Sequence, residues 1–337
     1  MRKIFLAFIS ILSVCVNPVL AQTDCVKVSK IWDNGMHNAF TSIIKYKGKY
    51  YCAFREGFSH IFDNEGNAEG KIRILSSEDG NTWTPSALIA KAKYDLRDSQ
   101  LSITPDGKLM VLMGGSVYID RKLTNMLPQV SFSEDGINYS EPSPIQLDPK
   151  VKDGRDWLWN LVWNDSTGYG VNYNRSGISL VTTKDGVSYD LIRTLDVSGS
   201  PNETCVRILS DKRMALMVRR EGEDQKGSWG ISNPPYTDWE WKALDIRLGG
   251  PEFIELKDGL IIAGTRSHFI PSAPKTILLT GNAKGLFQEK YVLPSGGDTS
   301  YTGLLVDGDE LWISYYSTHE TKKSAIYLAR FPLSFFE

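Results

Sequence analysis

The sequence predicts an all-β fold, a six-bladed β-propeller built of four-stranded antiparallel blades. Three observations predict it: a β-hairpin pattern that recurs six times, a polar turn motif that recurs between hairpins, and a composition of 9 Trp, 15 Tyr and 29 Gly in 337 residues. Aromatic residues suit pleated strands, and glycine suits the tight turns that join them.

The hairpins come first in the argument. Each is an apolar alternation, a short turn and a second alternating run. The six are Ala39 to Arg55, Asp98 to Gly114, Trp159 to Arg175, Glu203 to Arg219, Gly250 to Arg266 and Thr299 to Tyr315. Their turns are Lys47-Gly48, Asp106-Gly107, Thr167-Gly168, Asp211-Lys212, Asp258-Gly259 and Asp307-Gly308. Spread over residues 22 to 337 they leave about 53 residues per unit, room for four strands of about five residues and their turns. Val26-Lys27-Val28 is placed to add a strand beside Ala325 to Arg330 and close the ring. No Pro/Gly/Ser-rich linker interrupts the pattern, so residues 22 to 337 are expected to form one domain.

The turn motif follows the early hairpins. Ser76-Ser77-Glu78-Asp79-Gly80-Asn81-Thr82-Trp83 is the sharpest copy, with weaker ones at Phe132 to Tyr139 and Thr182 to Tyr189 and degenerate ones at Ser232 to Trp239 and Thr280 to Phe287. Its residue types are structural: the Asp accepts backbone N–H groups, the Gly supplies positive φ, and the aromatic ring packs beneath.

Composition and charge narrow the function. With 38 Lys+Arg against 40 Asp+Glu the formal charge is −2, which lacks the basic footprint of a nucleic-acid binder. Arg2-Lys3 precede an apolar run from Ile4 to Val16, and Val19-Leu20-Ala21 precede Gln22. This reads as a secretory leader cleaved after Ala21, giving a periplasmic or extracellular protein. Leu12-Ser13-Val14-Cys15 offers a poor lipoprotein alternative. No stretch reaches the length of a membrane span. Cleavage leaves Cys25, Cys52 and Cys205, too few for a disulfide framework. The four His stand in no metal-binding spacing, so neither metal nor cofactor is expected.

Hairpin register locates a candidate site. Seven residues beyond each turn glycine, or its equivalent, stand Arg55, Gly114, Arg175, Arg219, Arg266 and Tyr315. Four arginines in six equivalent slots, about 20 Å from the turns, point to one shared rim. Nine residues before the reference position the same rim offers Asp98 and Glu203. A guanidinium fork matches a carboxylate, so Arg55, Arg219 and Arg266 are expected to converge on an anionic ligand, although any single arginine of this kind is as often solvated or paired, as beside Glu56 or Glu221. Arg97, beside Asp98, and Arg175 join the candidate binding residues. His60 and His319 follow the first and sixth hairpins onto the rim. Trp157 and Trp159 open the third blade and fit sugar stacking, although core packing is the commoner role of propeller aromatics.

With these residues in view the chain resembles the exo-α-sialidases of the six-bladed propeller type. Phe54-Arg55 is similar to the family's first-blade arginine, and Asn202-Glu203 with Arg219 to its fourth-blade set. Arg266 is similar to the fifth-blade arginine, and Tyr301-Thr302-Gly303-Leu304 to the last-blade tyrosine segment. The serine-to-tryptophan turns resemble the family's Asp-box. The resemblance implies that the three arginines grip a sugar carboxylate, with Tyr301 as nucleophile and Glu203 as its base. Three departures stand out. Glu56-Gly57 replaces the residues that usually follow the first arginine. The register places Thr299, not Tyr301, in the tyrosine slot. The acid/base Asp has no sharp counterpart, and Asp63, in the loop from Gly57 to Gly70, is assigned by residue type alone.

The chemistry is coherent. A ketosidic sugar acid carries its carboxylate on the anomeric carbon and would repel a carboxylate nucleophile, whereas a tyrosine assisted by a glutamate and arginines would not be repelled. The expected function is an exported exo-glycosidase that removes a terminal acidic sugar from a glycan. Asp98 and Glu203 leave open an inverting glycosidase or a uronic-acid lyase, and a non-catalytic glycan-binding propeller remains a third reading.

Overall fold

The computed structural model describes residues 25–267 and 273–337; the expected leader and its cleavage point lie outside the described residues. Six sheets follow one another along the chain, antiparallel except for one short strand, Gln146–Leu147, that runs parallel to its neighbour. Blade one is His37–Tyr46, Lys49–Gly57, Lys71–Ser77 and Thr84–Ile89, and blade two is Asp95–Ile103, Leu109–Ile119, Gln129–Ser133 and Ser143–Pro144. Blade three is Trp157–Asn164, Thr167–Asn174, Gly177–Thr183 and Ser188–Leu195. Pro201–Ile208, Met214–Arg220, Ser228–Ser232 and Glu240–Ala243 make blade four. Blade five is Glu252–Glu255, Ile261–Ser267, Lys275–Asn282 and Leu286–Val292. Blade six combines Thr299–Asp307, Glu310–Ser317 and Ala325–Pro332 with Lys27–Trp32 from the other end of the chain. Lys27 pairs with Arg330 and Val28 with Ala329, as the sequence suggested. Blades two and three each carry one additional short strand, Lys122–Met126 and Gln146–Leu147.

All six expected hairpins form the first two strands of a blade, and first strands of neighbouring blades pack together around the axis. The blades stack face to face, so strands such as Leu109 to Met113 and Met214 to Val218 are apolar and buried throughout rather than alternating. The core is divided accordingly into layers between adjacent blades. Cys205, Met217, Trp229 and Phe253 join blades four and five, and Phe40, Phe54, Tyr316 and Ile326 join blades one and six.

The turn motifs lie at the end of the blades remote from Arg55. Asp79 Oδ1 accepts the N–H groups of Asn81 and Thr82, each at 2.8 Å, while Trp83 Nε1 donates to Gly80 O at 3.1 Å. Asp135 and Asp185 cap their turns in the same way. Lys47 at the first hairpin turn donates to Glu134 O beside the second motif at 2.7 Å.

One irregularity of the first strands positions the site. Pairing of first with second strand slips between Ala39 and Ser42, Arg97 and Gln100, Leu158 and Leu161, Pro201 and Thr204, and Ser300 and Gly303. Each slip is a β-bulge, which bends the strand and re-aims side chains. The bulged residues include Phe40, Asp98, Trp159, Glu203 and Tyr301, and Phe40, Asp98 and Tyr301 have φ of 65°, 53° and 51°. Positive φ in bulky or charged residues is strained and is held by surrounding structure. The position of the glycine within its turn shifted the count that placed Thr299 in the tyrosine slot. Gly48 is the second turn residue in blade one, but Gly308 is the first in blade six. Tyr301 and Phe40 are equivalent, each six residues upstream of a strand end, Asp307 or Tyr46.

Candidate active site

Bulged first strands bring Tyr301, Glu203 and Asp98 into one buried cluster from blades six, four and two. Tyr301 Oη donates to Glu203 Oε1 at 2.8 Å. Its ring makes edge contacts with Phe40 at 4.8 Å and Trp159 at 5.2 Å between centroids. Burial, and next the negative charge of Glu203, push the Tyr301 phenol well above its ordinary range, while Arg219 opposes the shift. Glu203 is 7% exposed. Its Oε2 accepts Gly250 N–H at 3.0 Å, and Oε1 is also 2.5 Å from Arg219 Nη1. The opposite fork of Arg219 lies 2.5 Å from Glu221 Oε1, and Arg247 approaches Glu221 Oε2 at 3.2 Å. Burial alone would lower the Arg219 pKa, but Glu203 and then the other facing groups raise it, so this guanidinium is a fixed cation.

Asp98 has a different environment. Its Oδ1 is buried without a hydrogen-bond partner, and the closest cation, Arg97 Nε, is 4.0 Å from Oδ2. Burial pushes its pKa up to about 7; Arg97 opposes this, and the charges of Glu203 and Asp95 add to it. The cluster thus pairs a hydrogen-bonded Tyr301–Glu203–Arg219 set with a carboxyl poised to exchange a proton near neutrality.

Arg55 does not stand in the ligand space expected of it. It is 1% exposed, and its Nε donates to Asp95 Oδ1 at 2.7 Å. Its two terminal nitrogens donate to the Ser59 and Ile61 carbonyls. Asp95 also accepts Gly70 N–H at 2.9 Å and faces Arg97 at 3.6 Å. Arg55 therefore clamps both ends of the loop from Gly57 to Gly70. Arg97 lies with its guanidinium 4.8 Å over the Phe40 ring. Arg266 is partly buried, its backbone N–H donated to Gly249 O at 3.0 Å, and its charge acts on Tyr316.

The remaining expected residues are outside the tyrosine cluster. Asp63 caps its own loop, accepting the N–H groups of Glu65 and Asn67 and the Asn67 side chain. Those bonds, the Asn67 side chain first, lower its pKa, the reverse of what a proton donor needs. Arg175 is an exposed turn residue bound to Asp153 at 3.2 Å. His319 bonds Ser317 Oγ at 2.9 Å and packs on Tyr327. His60 Nδ1 lies 2.9 Å from Asp298 Oδ2, and its ring meets Phe40 edge-on at 5.3 Å.

Sequence reasoning passed over Gly250, Asp95, Glu221, Arg247, His37 and Asp298. Two of these carried a signal: Asp95 is three residues from Asp98 on one strand, and Asp298 is three residues before Tyr301. Glu221 was noted only as a neutralising neighbour of Arg219.

No sequence-family profile and no curated protein matches the chain. Solved structures do match its fold. A Dyadobacter fermentans protein of unknown function superposes with a TM-score of 0.75 at 18% identity, over 91% of this chain and 98% of that one. The NanB sialidase of Streptococcus pneumoniae gives 0.69 at 9% identity, over 92% of this chain and 71% of that one. The Trypanosoma rangeli sialidase, solved with 2,3-difluorosialic acid as a covalent intermediate, gives 0.67 at 11% identity, over 90% of this chain and 58% of that one. The fold is therefore that of the sialidase propellers, and the chain spans somewhat more than half of the trypanosomal enzyme. Among the described residues no helix is long and apolar enough to cross a membrane.

Proposed function

We propose that the chain is a retaining exo-glycosidase that removes a terminal acidic sugar, with Tyr301 as nucleophile, Glu203 as its base and Asp98 as acid/base. The observation that carries the reading is the 2.8 Å hydrogen bond from Tyr301 Oη to Glu203 Oε1, with Arg219 on the same carboxylate oxygen. A buried phenol is a poor nucleophile until its proton has somewhere to go, and this bond supplies the acceptor. As Tyr301 Oη bonds to the anomeric carbon, its proton passes to Glu203 and the leaving oxygen takes the proton of Asp98. Water then attacks the glycosyl-tyrosine with ionised Asp98 as base, and Glu203 returns the proton to the departing phenolate. Arg219 offsets the negative charge throughout.

Asp98 replaces Asp63 as acid/base in this reading, because a carboxyl with a pKa of about 7 is half protonated at neutral pH and Asp63 is not. Arg219, Arg266 and Arg97, each partly exposed, are the sugar-carboxylate contacts in this reading, since Arg55 is 1% exposed and turned to Asp95 and the Ser59 and Ile61 carbonyls. The covalent intermediate of the trypanosomal neighbour supports a covalent step by analogy of fold. The reading includes export by the N-terminal leader, which would bring the enzyme to glycans outside the cytoplasm.

The test is turnover of aryl ketosides of sialic acid and related keto-sugar acids by Tyr301→Phe, Glu203→Gln and the double variant. Each single change is expected to cut turnover by orders of magnitude, with the double little worse than either, because the pair acts as one unit. If Tyr301→Phe keeps more than about a tenth of the activity, a loss under about 1.4 kcal/mol, the covalent mechanism fails. Inversion by Asp98 and Glu203, read from product stereochemistry, would then replace it.

A further inference from the structure

We propose that His37, His60 and Asp298 form a binding site for a zinc-class divalent cation that clips blade one to blade six at the mouth of the candidate active site. His37 opens the first strand of blade one, His60 comes from the loop that follows its second strand, and Asp298 directly precedes the first strand of blade six. His37 Nε2 lies 2.8 Å and His60 Nδ1 2.9 Å from the same oxygen, Asp298 Oδ2. The three ligand atoms lie within 4.8 Å of one another. Two imidazole nitrogens and one carboxylate oxygen are the donor set of an open zinc site. Ligands at about 2.0–2.1 Å around a tetrahedral ion stand roughly 3.3 Å apart, so the carboxylate and rings need to part by about 0.5 Å and the two ring nitrogens, within 4.8 Å of each other, to settle at that same separation. The ion takes the place of the protons that now bridge them.

The surroundings fit such a site. Tyr316 Oη donates to the other oxygen, Asp298 Oδ1, at 3.0 Å, and Asp298 N–H donates to Thr318 Oγ1 at 3.0 Å. The carboxylate is thereby oriented from behind, as metal-ligating carboxylates are. Side-chain exposure rises from 7% at His37 through 27% at Asp298 to 48% at His60. The cluster is closed on one side and open on the other, which leaves the fourth position to water. One feature weakens the site: with a metal on Nε2, the remaining proton of His37 moves to Nδ1, a buried atom with no partner. A missing outer partner costs roughly 10–100-fold in affinity, which places the expected dissociation constant in the micromolar rather than the nanomolar range.

The site adjoins the tyrosine cluster without being part of it. Tyr316 packs against Tyr301 at 6.1 Å, and the Phe40 ring stands between His60 and Tyr301. The proposal does not depend on the glycosidase reading, and its test needs no substrate. Chelator-treated protein is titrated with Zn2+ by calorimetry and with Co2+ by visible absorption. One equivalent is expected, with intense tetrahedral-type cobalt bands and a rise in melting temperature. His60→Ala, which alters a half-exposed ring, and Asp298→Asn should lose the binding. His319→Ala and Cys25→Ser, which remove other metal-seeking side chains, should keep it. Tyr316→Phe should weaken binding about tenfold while leaving the stoichiometry intact. Absence of binding by the wild type, or equal binding by folded His60→Ala, would overturn the proposal and leave the three residues as a proton-sharing set.

Discussion

Gly250 offers a direct test of how the site is held in place. A Cβ at this position would lie 2.7 Å from both Cδ2 and Cγ of Tyr301, and the backbone has φ of +64°. Ordinary carbon contacts are about 3.5–4.0 Å, so Gly250→Ala must move the tyrosine ring, or the segment that donates Gly250 N–H to Glu203, by about 1 Å. A left-handed backbone costs an alanine about 1–2 kcal/mol, and overpacking adds about 1–3 kcal/mol. At roughly 2–4 °C per kcal/mol the melting temperature should fall by several degrees or more. Misplacing a catalytic group by about 1 Å should cost on the order of 100-fold in turnover. Gly107→Ala is the control. It has φ of +81° and nothing within 4 Å of the added Cβ, so it carries the backbone cost alone and should keep its turnover. Melting curves and steady-state rates on an aryl ketoside read both. If Gly250→Ala melts like Gly107→Ala and keeps more than half the wild-type turnover, the contact does not position Tyr301.

Asp98 and Asp95 give two further expectations. The Asp98 carboxyl holds its proton up to about pH 7, against an ordinary value of 3.8, so its contribution to stability is full below pH 4 and is lost as pH rises to 7. Asp98→Asn should flatten that slope, remove a rate-limb near pH 7, and slow turnover about 10²–10⁴-fold on poor leaving groups but much less on activated aryl ones; an unchanged pH profile would remove Asp98 from the mechanism. Asp95→Ala strands the buried Arg55 guanidinium and should cost about 3–5 kcal/mol in urea unfolding. Arg55→Met combined with Asp95→Ala should cost clearly less than the two single losses together; additive losses would show that the pair is not coupled.

The hairpins were legible because each obeys local rules: two apolar runs joined by a short polar turn, Asp-Gly or Lys-Gly in four of the six. Glu203, Arg219 and Tyr301 were legible because they stand near the ends of those hairpins and resemble a known constellation. The bulges were not legible, since a one-residue slip in pairing leaves no mark on the hydrophobic pattern of strands buried on both faces. They nonetheless decide which side chains of each first strand enter the cluster, and the count reached Thr299 instead of Tyr301 because Gly308 is the first residue of its turn where Gly48 is the second. The fate of Arg55 depended on Asp95, a residue 40 positions away, and neighbours of that kind are set by blade stacking. His37 and Asp298 are separated by 261 positions, so no spacing rule could join them.

Blade six joins the first described strand of the chain, Lys27–Trp32, to the last, Ala325–Pro332. A ribosome therefore makes Lys27–Trp32 long before its mate, Ala325–Pro332, exists. Contacts of such separation are slow to form, and until they do the intermediate exposes unpaired strand edges. Tyr301 and Asp298 are carried by the same late sheet, whereas Glu203 and Asp98 belong to blades completed earlier. An incompletely assembled molecule would thus possess the two carboxylates without the phenol that bonds Glu203. Recovery of turnover during refolding should lag behind the return of β-sheet signal, and activity becomes a clock for the moment the circle shuts.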